Sequence, residues 1–257
     1  MSSPASEYLE RAAELVRRIQ QTELEAIGRA ADWCAASILG GRLAHLFGSG
    51  HSRVPVEEMF PRYGSFPGFH PIVELSLTYH NQVVGANGQR QAMFLERVEG
   101  LAEIILSNFV LDPRDTAVLF STSGAGAVVV DMALAFRRRS IRTVAVTSLE
   151  HAAVTPSTHS SGQSLHQVCD LVIDNGAPAG DAMVRVPGLE TPVSPGSTIG
   201  ACAVVNALKA EVARRLVEAG QPPLVLTSGY FTGEARAKEL FEQAYDDYRR
   251  RVGVLYR

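Results

Sequence analysis

A switch of hydrophobic period just before Leu43 constrains this chain more than any other feature. Up to Leu39, apolar residues recur at three- and four-residue spacings, as on one face of a helix. From Leu43 onward, short continuous apolar runs take over, each closed by turn residues and followed by a further helical stretch. Leu43–Phe47 ends in Gly48-Ser49-Gly50, and Thr116–Ser121 ends in Thr122-Ser123-Gly124. Arg142–Thr147 and Asp170–Asp174 follow the same pattern, and Pro71–Glu74 is a shorter candidate. Apolar runs bounded in this way read as strands buried on both faces. Strands alternating with helices imply a parallel sheet with right-handed crossovers. The simplest order for the five strands read from this sequence is 2-1-3-4-5.

The helical stretches run over Ser6–Leu39, capped by Ser6 and closed by Gly40-Gly41, and over Val54–Tyr63, with Pro55 in the first turn. Gln89–Phe109 reads as one long helix with Met93, Phe94, Val98, Leu101, Ile104 and Ile105 toward the core. Gly124–Arg139, parts of His151–Val168, Ser197–Glu218 and Thr232–Arg251 complete the set. A chain of 257 residues, 46% of them hydrophobic, suits one large α/β domain. Its expected parts are an N-terminal helical segment (1–40), an α/β core (41–220) and a C-terminal helical extension (221–257).

In the order 2-1-3-4-5 the chain reverses direction between strands 1 and 3, and ligands bind at the carboxyl ends of the strands at such a reversal. The loops that follow those two strands, Gly48–Ser52 and Ser121–Gly126, are the richest in Ser, Thr and Gly. A strand-to-helix turn presents unpaired N–H groups where the helix dipole is positive. The glycines of such turns, here Gly48, Gly50 and Gly124, let backbone approach an anion. Hydroxyls of Ser49, Ser52, Ser121, Thr122 and Ser123 add donors. The two turns together read as a phosphate cradle without Lys or Arg, to be set against plain capping of the following helices.

Other chemistries are disfavoured. Arg53 stands where a dinucleotide fingerprint needs its third Gly or Ala, and no GxxxxGK[ST] occurs, so no cofactor is expected. Charged residues make up 20% of the chain, the net charge is -3, and the basic clusters Arg137–Arg139 and Arg249–Arg251 sit at helix ends, so no nucleic-acid partner is expected. The three cysteines are widely spaced and read as core thiols in a reducing compartment. With no signal core and no apolar run of membrane length, a cytoplasmic protein without a membrane partner is expected. The seven histidines show no HxH or HExxH spacing, which argues against a metal site.

Phe47-Gly48-Ser49-Gly50-His51-Ser52, Ser121-Thr122-Ser123-Gly124 and Val146-Thr147-Ser148 together resemble the sugar isomerase (SIS) domain family, over roughly residues 10–220. Within it the chain is similar to a bacterial branch of phosphosugar and phosphoheptose isomerases, through His159–Gly162, Val172–Gly176 and Gly196–Thr198. The resemblance implies a flavodoxin-like three-layer α/β/α sandwich, a phosphorylated sugar as ligand, and homodimers or homotetramers with sites near subunit boundaries. By the same resemblance, Ser52, Ser121, Thr122 and Ser123 hold phosphate, and Gly126 stands where a further phosphate-binding Ser is expected. The pair Glu57-Glu58 matches the segment that carries the catalytic base, with Glu58 the better match. The late-helix histidines of phosphoheptose isomerases have no counterpart in Ser197–Asn206, which argues against zinc.

The expected activity is aldose–ketose isomerisation through an enediol, with Glu58 as base and Glu74 in reserve. His51 and His159 are candidates to meet the sugar or phosphate, and Asp181 with Ser197-Thr198 to close over it. His45 reads as buried structure, His70 as a loop residue, and His80, His151 and His166 as solvated or capping. A stand-alone phosphosugar sensor, and a lyase or etherase acting on phosphorylated amino sugars, stand as alternatives.

Overall fold

The apolar runs form one parallel sheet: β1 (Ala44–Gly48), β2 (Phe69–Pro71), β3 (Thr116–Phe120), β4 (Arg142–Thr147) and β5 (Leu171–Asp174), in the order β2-β1-β3-β4-β5. This is the order expected from the alternation of elements. The computed structural model describes residues 3–78 and 88–257, so His80 lies outside the described residues. Successive side chains of each strand face opposite layers. Leu46, Val118, Val146 and Ile173 pack against helices α1 (Pro4–Thr22), α2 (Leu24–Leu39), α3 (Val54–Met59) and a long later helix, Ser197–Glu218. Phe47, Ala117, Leu119 and Ala145 pack on the opposite side against α4 (Ala127–Arg138) and the short segments Leu101–Leu106 and Leu165–Val168. The result is a three-layer α/β/α sandwich. Ser197–Glu218 is α5, and a final helix, α6 (Glu234–Val252), follows it.

Several elements depart from the sequence expectation, each for a local reason. Ser3, not Ser6, caps α1: its Oγ accepts from the Ser6 N–H at 3.2 Å, and Pro4 takes the first turn, where no N–H is needed. The second strand is Phe69–Pro71 rather than Pro71–Glu74, because Glu74 accepts from the Leu77 N–H at 2.7 Å and starts a helical turn. His70 is therefore a buried strand residue, not a loop residue. The helix expected over Gln89–Phe109 is two, Gln89–Leu95 and Leu101–Leu106, separated by Gly100 at φ 84°. That break changes which face meets the core: Phe94 and Ile104 are 70% and 67% exposed, while Ala92, Ala102 and Leu106 are buried. α4 starts at Ala127 rather than Gly124, whose φ of 63° is incompatible with a helix. α3 stops at Met59, and Gly233 separates Gly229–Thr232 from α6.

Under the amino ends of β1–β3 lies a buried polar network. Asp115 accepts from Arg42 Nε and Nη2 at 2.9 and 2.8 Å, and its Oδ2 lies 3.3 Å from His45 Nε2. His45 Nδ1 and His70 Nδ1 are 3.0 Å apart. Burial, reinforced by the neighbouring His45, pushes His70 down to about 3, with Asp115 opposing. The unfolded chain takes up a proton on His70 as pH falls through about 6.5, whereas the folded chain does not until about 3. Stability is therefore lost as pH falls within that window, by up to about 1.4 kcal/mol per pH unit. The urea midpoint should fall between pH 7.5 and 5, and His70→Phe should flatten that slope while lowering stability overall.

Candidate functional site

The parallel register pairs Gly48 with Phe120, so the turns after β1 and β3 leave the sheet side by side. The first turn folds back sharply. A Cβ on Gly48 would lie 2.2 Å from the Ser52 carbonyl oxygen, which excludes any other residue there. The Ser52 N–H donates to the Ser49 carbonyl at 3.0 Å, and a single 3-10 turn (Gly50–Arg53) follows, with Gly50 at φ 55°. In the second turn, Ser121 Oγ accepts from the Gly124 N–H at 3.1 Å and Ser123 Oγ from the Ala125 N–H at 3.3 Å. Each hydroxyl therefore keeps its own O–H to donate. The Thr122 carbonyl accepts from the Ser148 N–H (3.0 Å) and Thr147 Oγ1 (3.2 Å), which ties the turn to the end of β4.

One cleft lies between these turns. His51 and Ser52 line it from the first turn, Ser121 and Thr122 from the second, Asn175 from the end of β5, and Ser197 and Thr198 from the start of α5. Pro55, Phe120, Val146 and Ala201 form its apolar walls. Of the remaining turn residues, Ser49 Oγ donates to Glu96 Oε2 at 3.3 Å, while Gly48, Gly50, Ser123 and Gly124 shape the backbone. Asn175 went unremarked in the sequence. Its Oδ1 accepts from the Ala177 N–H at 3.0 Å, which leaves the amide nitrogen as the donor. The sequence signal for it is Gly200, where a Cβ would stand 1.9 Å from the Asn175 carbonyl oxygen.

Ser197 is partly committed elsewhere. Asp181 Oδ1 accepts from the Gly196 and Ser197 N–H groups at 3.0 and 2.8 Å, and Oδ2 accepts from Ser197 Oγ at 2.6 Å. Asp181 thus caps the start of α5 with a carboxylate rather than closing over the cleft. Thr198 is the α5 hydroxyl that lines the cleft beside it.

Glu58 sits one helical turn beyond Pro55 and is not among the cleft walls. Its Oε1 accepts from Asn206 Nδ2 at 2.9 Å and its Oε2 pairs with Arg62. Burial pushes its carboxyl up, but the hydrogen bonds from Asn206 and Arg62 and the charges of Arg62 and Lys209 outweigh this and hold it below the ordinary glutamate range. Glu57 turns away, pairing with Arg53 at 3.3 Å. His159 is not brought to the cleft. Its Nε2 lies 3.0 Å from Asp131 Oδ1 on α4, and its Nδ1 lies 2.7 Å from Ser161 Oγ. His151 accepts the Gly180 N–H at 3.1 Å, tying its helical turn to the loop after β5 rather than capping a helix. Among the described residues, no group of His, Cys, Asp and Glu is arranged to hold a metal ion, and no helix is long and apolar enough to cross a membrane.

Comparison with known proteins gives this geometry its family. A SIS domain model matches residues 7–148. The chain belongs to the SIS domain family. This SIS protein is 33% identical over 250 residues to a UPF0309 protein of Geobacillus kaustophilus, covering 97% of this chain and 96% of the relative. It is 32% identical over 232 residues to a UPF0309 protein of Streptomyces coelicolor, covering 90% of each. Its fold is similar to the sugar isomerase domain of an RpiR transcription factor from Sphaerobacter thermophilus, with TM-score 0.51 and 18% identity over 94% of this chain and 98% of that one. It is similar also to a phosphoheptose isomerase from Francisella tularensis, with TM-score 0.51 and 14% identity over 82% and 96% of the two chains. At these identities the likeness to the two solved structures is one of fold.

Gly48→Ala tests the first turn. It sets a methyl against backbone that cannot yield, and should cost about 2 kcal/mol in urea unfolding.

Proposed function

We propose that this SIS protein holds the phosphate of a phosphorylated sugar in the cleft between its two turns and interconverts the aldose and ketose forms, with Glu58 as base. The convergence of Ser52, Ser121, Thr122 and Thr198 on one cleft at the strand-order reversal carries this reading. Ser121 accepts a backbone N–H and keeps its own O–H to donate, which suits phosphate oxygens, and Ser123, just beyond the cleft wall, does the same at the neighbouring position of the turn. The N–H groups of Thr122 and Ser123, without partners among the described residues, add to it. The fold shared with a phosphoheptose isomerase agrees with this class of ligand.

Glu58 follows the cleft-wall residue Pro55 by three residues, about 4.5 Å of helical rise, which supports the reading that the far end of a sugar whose phosphate is in the cleft meets this carboxylate. There Glu58, held ionised, takes the proton from C2 of the open-chain aldose. The electron pair forms the C1–C2 double bond of an enediol as the C1 carbonyl oxygen is protonated. Return of the carbon proton to C1, with loss of the O2 proton, gives the ketose. His51 lines the same cleft, which supports it as a group that meets the phosphate end of the sugar. His159 has no part in this scheme.

Incubation with fructose 6-phosphate, sedoheptulose 7-phosphate and glucosamine 6-phosphate in deuterated water should place deuterium at C1 or C2 of at least one, read by NMR. Loss of a C3 substituent would replace isomerase with lyase, and saturable binding without exchange would replace it with a sensor. Glu58→Gln should reduce exchange at least a hundredfold with binding retained. Replacing both Ser121 and Ser123 by Ala should weaken binding about tenfold by calorimetry, and unchanged affinity would remove the phosphate cradle.

A further inference from the structure

We infer that Asn206 and Lys209 are positioning residues for Glu58: they fix which carboxylate oxygen is held and which is left to receive a proton. The inference rests on the reading of Glu58 as base. Thr198, Cys202, Asn206 and Lys209 recur at spacings of four, four and three residues and so share one stripe of α5. The stripe begins in the cleft at Thr198 and ends beside Glu58.

Lys209 is the fixed point. It is only 5% exposed, and its ammonium donates to the Glu58 carbonyl at 2.9 Å and to Asn206 Oδ1 at 3.2 Å. The first bond satisfies a carbonyl in the last turn of α3, a structural task that needs no asparagine. The second decides the amide. An ammonium has no acceptor, so Asn206 must present Oδ1 to it. Nδ2 is thereby turned to Glu58 Oε1 at 2.9 Å and to the Cys202 carbonyl at 3.0 Å. Asn206 is exposed and packs nothing that demands its presence.

The two oxygens of Glu58 are consequently unlike. Oε1 is held by a neutral donor that is itself locked. Oε2 meets Arg62, whose side chain is 50% exposed and whose Nε donates to the Tyr63 carbonyl at 3.2 Å, a pair that water can replace. Oε2 is the oxygen that takes the proton. The charged and titratable groups facing Glu58 are Arg62, Lys209 and Cys202, and burial raises the Cys202 thiol, so it stays neutral. The surroundings are net positive and keep the base ionised.

The test uses the full chain with glutamate labelled by carbon-13 at Cδ, titrated by NMR, with Glu58→Gln assigning the resonance. In Asn206→Ala the Glu58 midpoint should move upward. With whichever of the three sugar phosphates exchanges, kcat for deuterium exchange should fall about tenfold while KM stays within twofold. Lys209→Met should move the midpoint in the same direction. An unmoved midpoint in Asn206→Ala overturns the inference, and if Lys209→Met does not fold, the exposed Asn206 variant decides alone. If Glu58→Gln keeps its exchange while Asn206→Ala still moves the Glu58 titration, Glu58 is not the base but its orientation by Asn206 stands.

Discussion

The pairing of β1 with β3 in parallel register is the constraint on which the rest of this molecule depends. Because the chain reverses direction between these two strands, no helix crosses directly from one to the other. Gly48 opposite Phe120 sets both turns at one level of the sheet. A slip of one residue would turn Leu46 and Val118 out of one layer and Phe47 and Leu119 out of the other, so burial on both faces holds the register. The site is thus positioned by the same apolar side chains that stabilise the sheet.

Close backbone approach then gathers groups far apart in sequence. Gly48 lets the first turn double back onto Ser52, and Gly200 lets α5 press against the end of β5 and bring Asn175 to the cleft. α3 and α5 run on from this point, joined by Lys209 at the last turn of α3. The carboxylate and one wall of the cleft therefore share this pair of helices, while the opposite wall comes from the turns after β1, β3 and β5.

The strands were legible because they are buried on both faces and read as unbroken apolar runs, and the strand order followed from their alternation with helices. The two turns were legible because their Ser, Thr and Gly content and the strand-order reversal point to the same place. Elsewhere local pattern misled. Met93, Phe94 and Ile104 have the spacing of a buried face, but Gly100 in the left-handed region resets the helix phase between them. His70 looked like loop because Pro71 follows it, yet proline is admissible as the last residue of a short edge strand. Asn175 and Asn206 acquire their roles only from partners across the fold, Gly200 in the first case and Glu58 with Lys209 in the second, and no local signal records such a meeting. Ser197 carried the right composition for an anion site, but Asp181, expected to close over the sugar together with it, instead occupies its N–H and hydroxyl.

That last arrangement has a bearing on how the cleft would select an anion. Among the described residues no Lys or Arg lines it, and the positive end of α5 is already matched by the Asp181 carboxylate. An anion proposed for it would meet hydroxyls, amides and the His51 ring rather than a guanidinium or ammonium. Dissolved salt screens charge attraction far more than short hydrogen bonds within a cleft, so affinity there varies little with ionic strength. Discrimination would fall instead on the shape of the acceptor: a tetrahedral group with three outward oxygens presents acceptors in three dimensions to donors from separate chain segments, where a carboxylate presents its lone pairs in one plane.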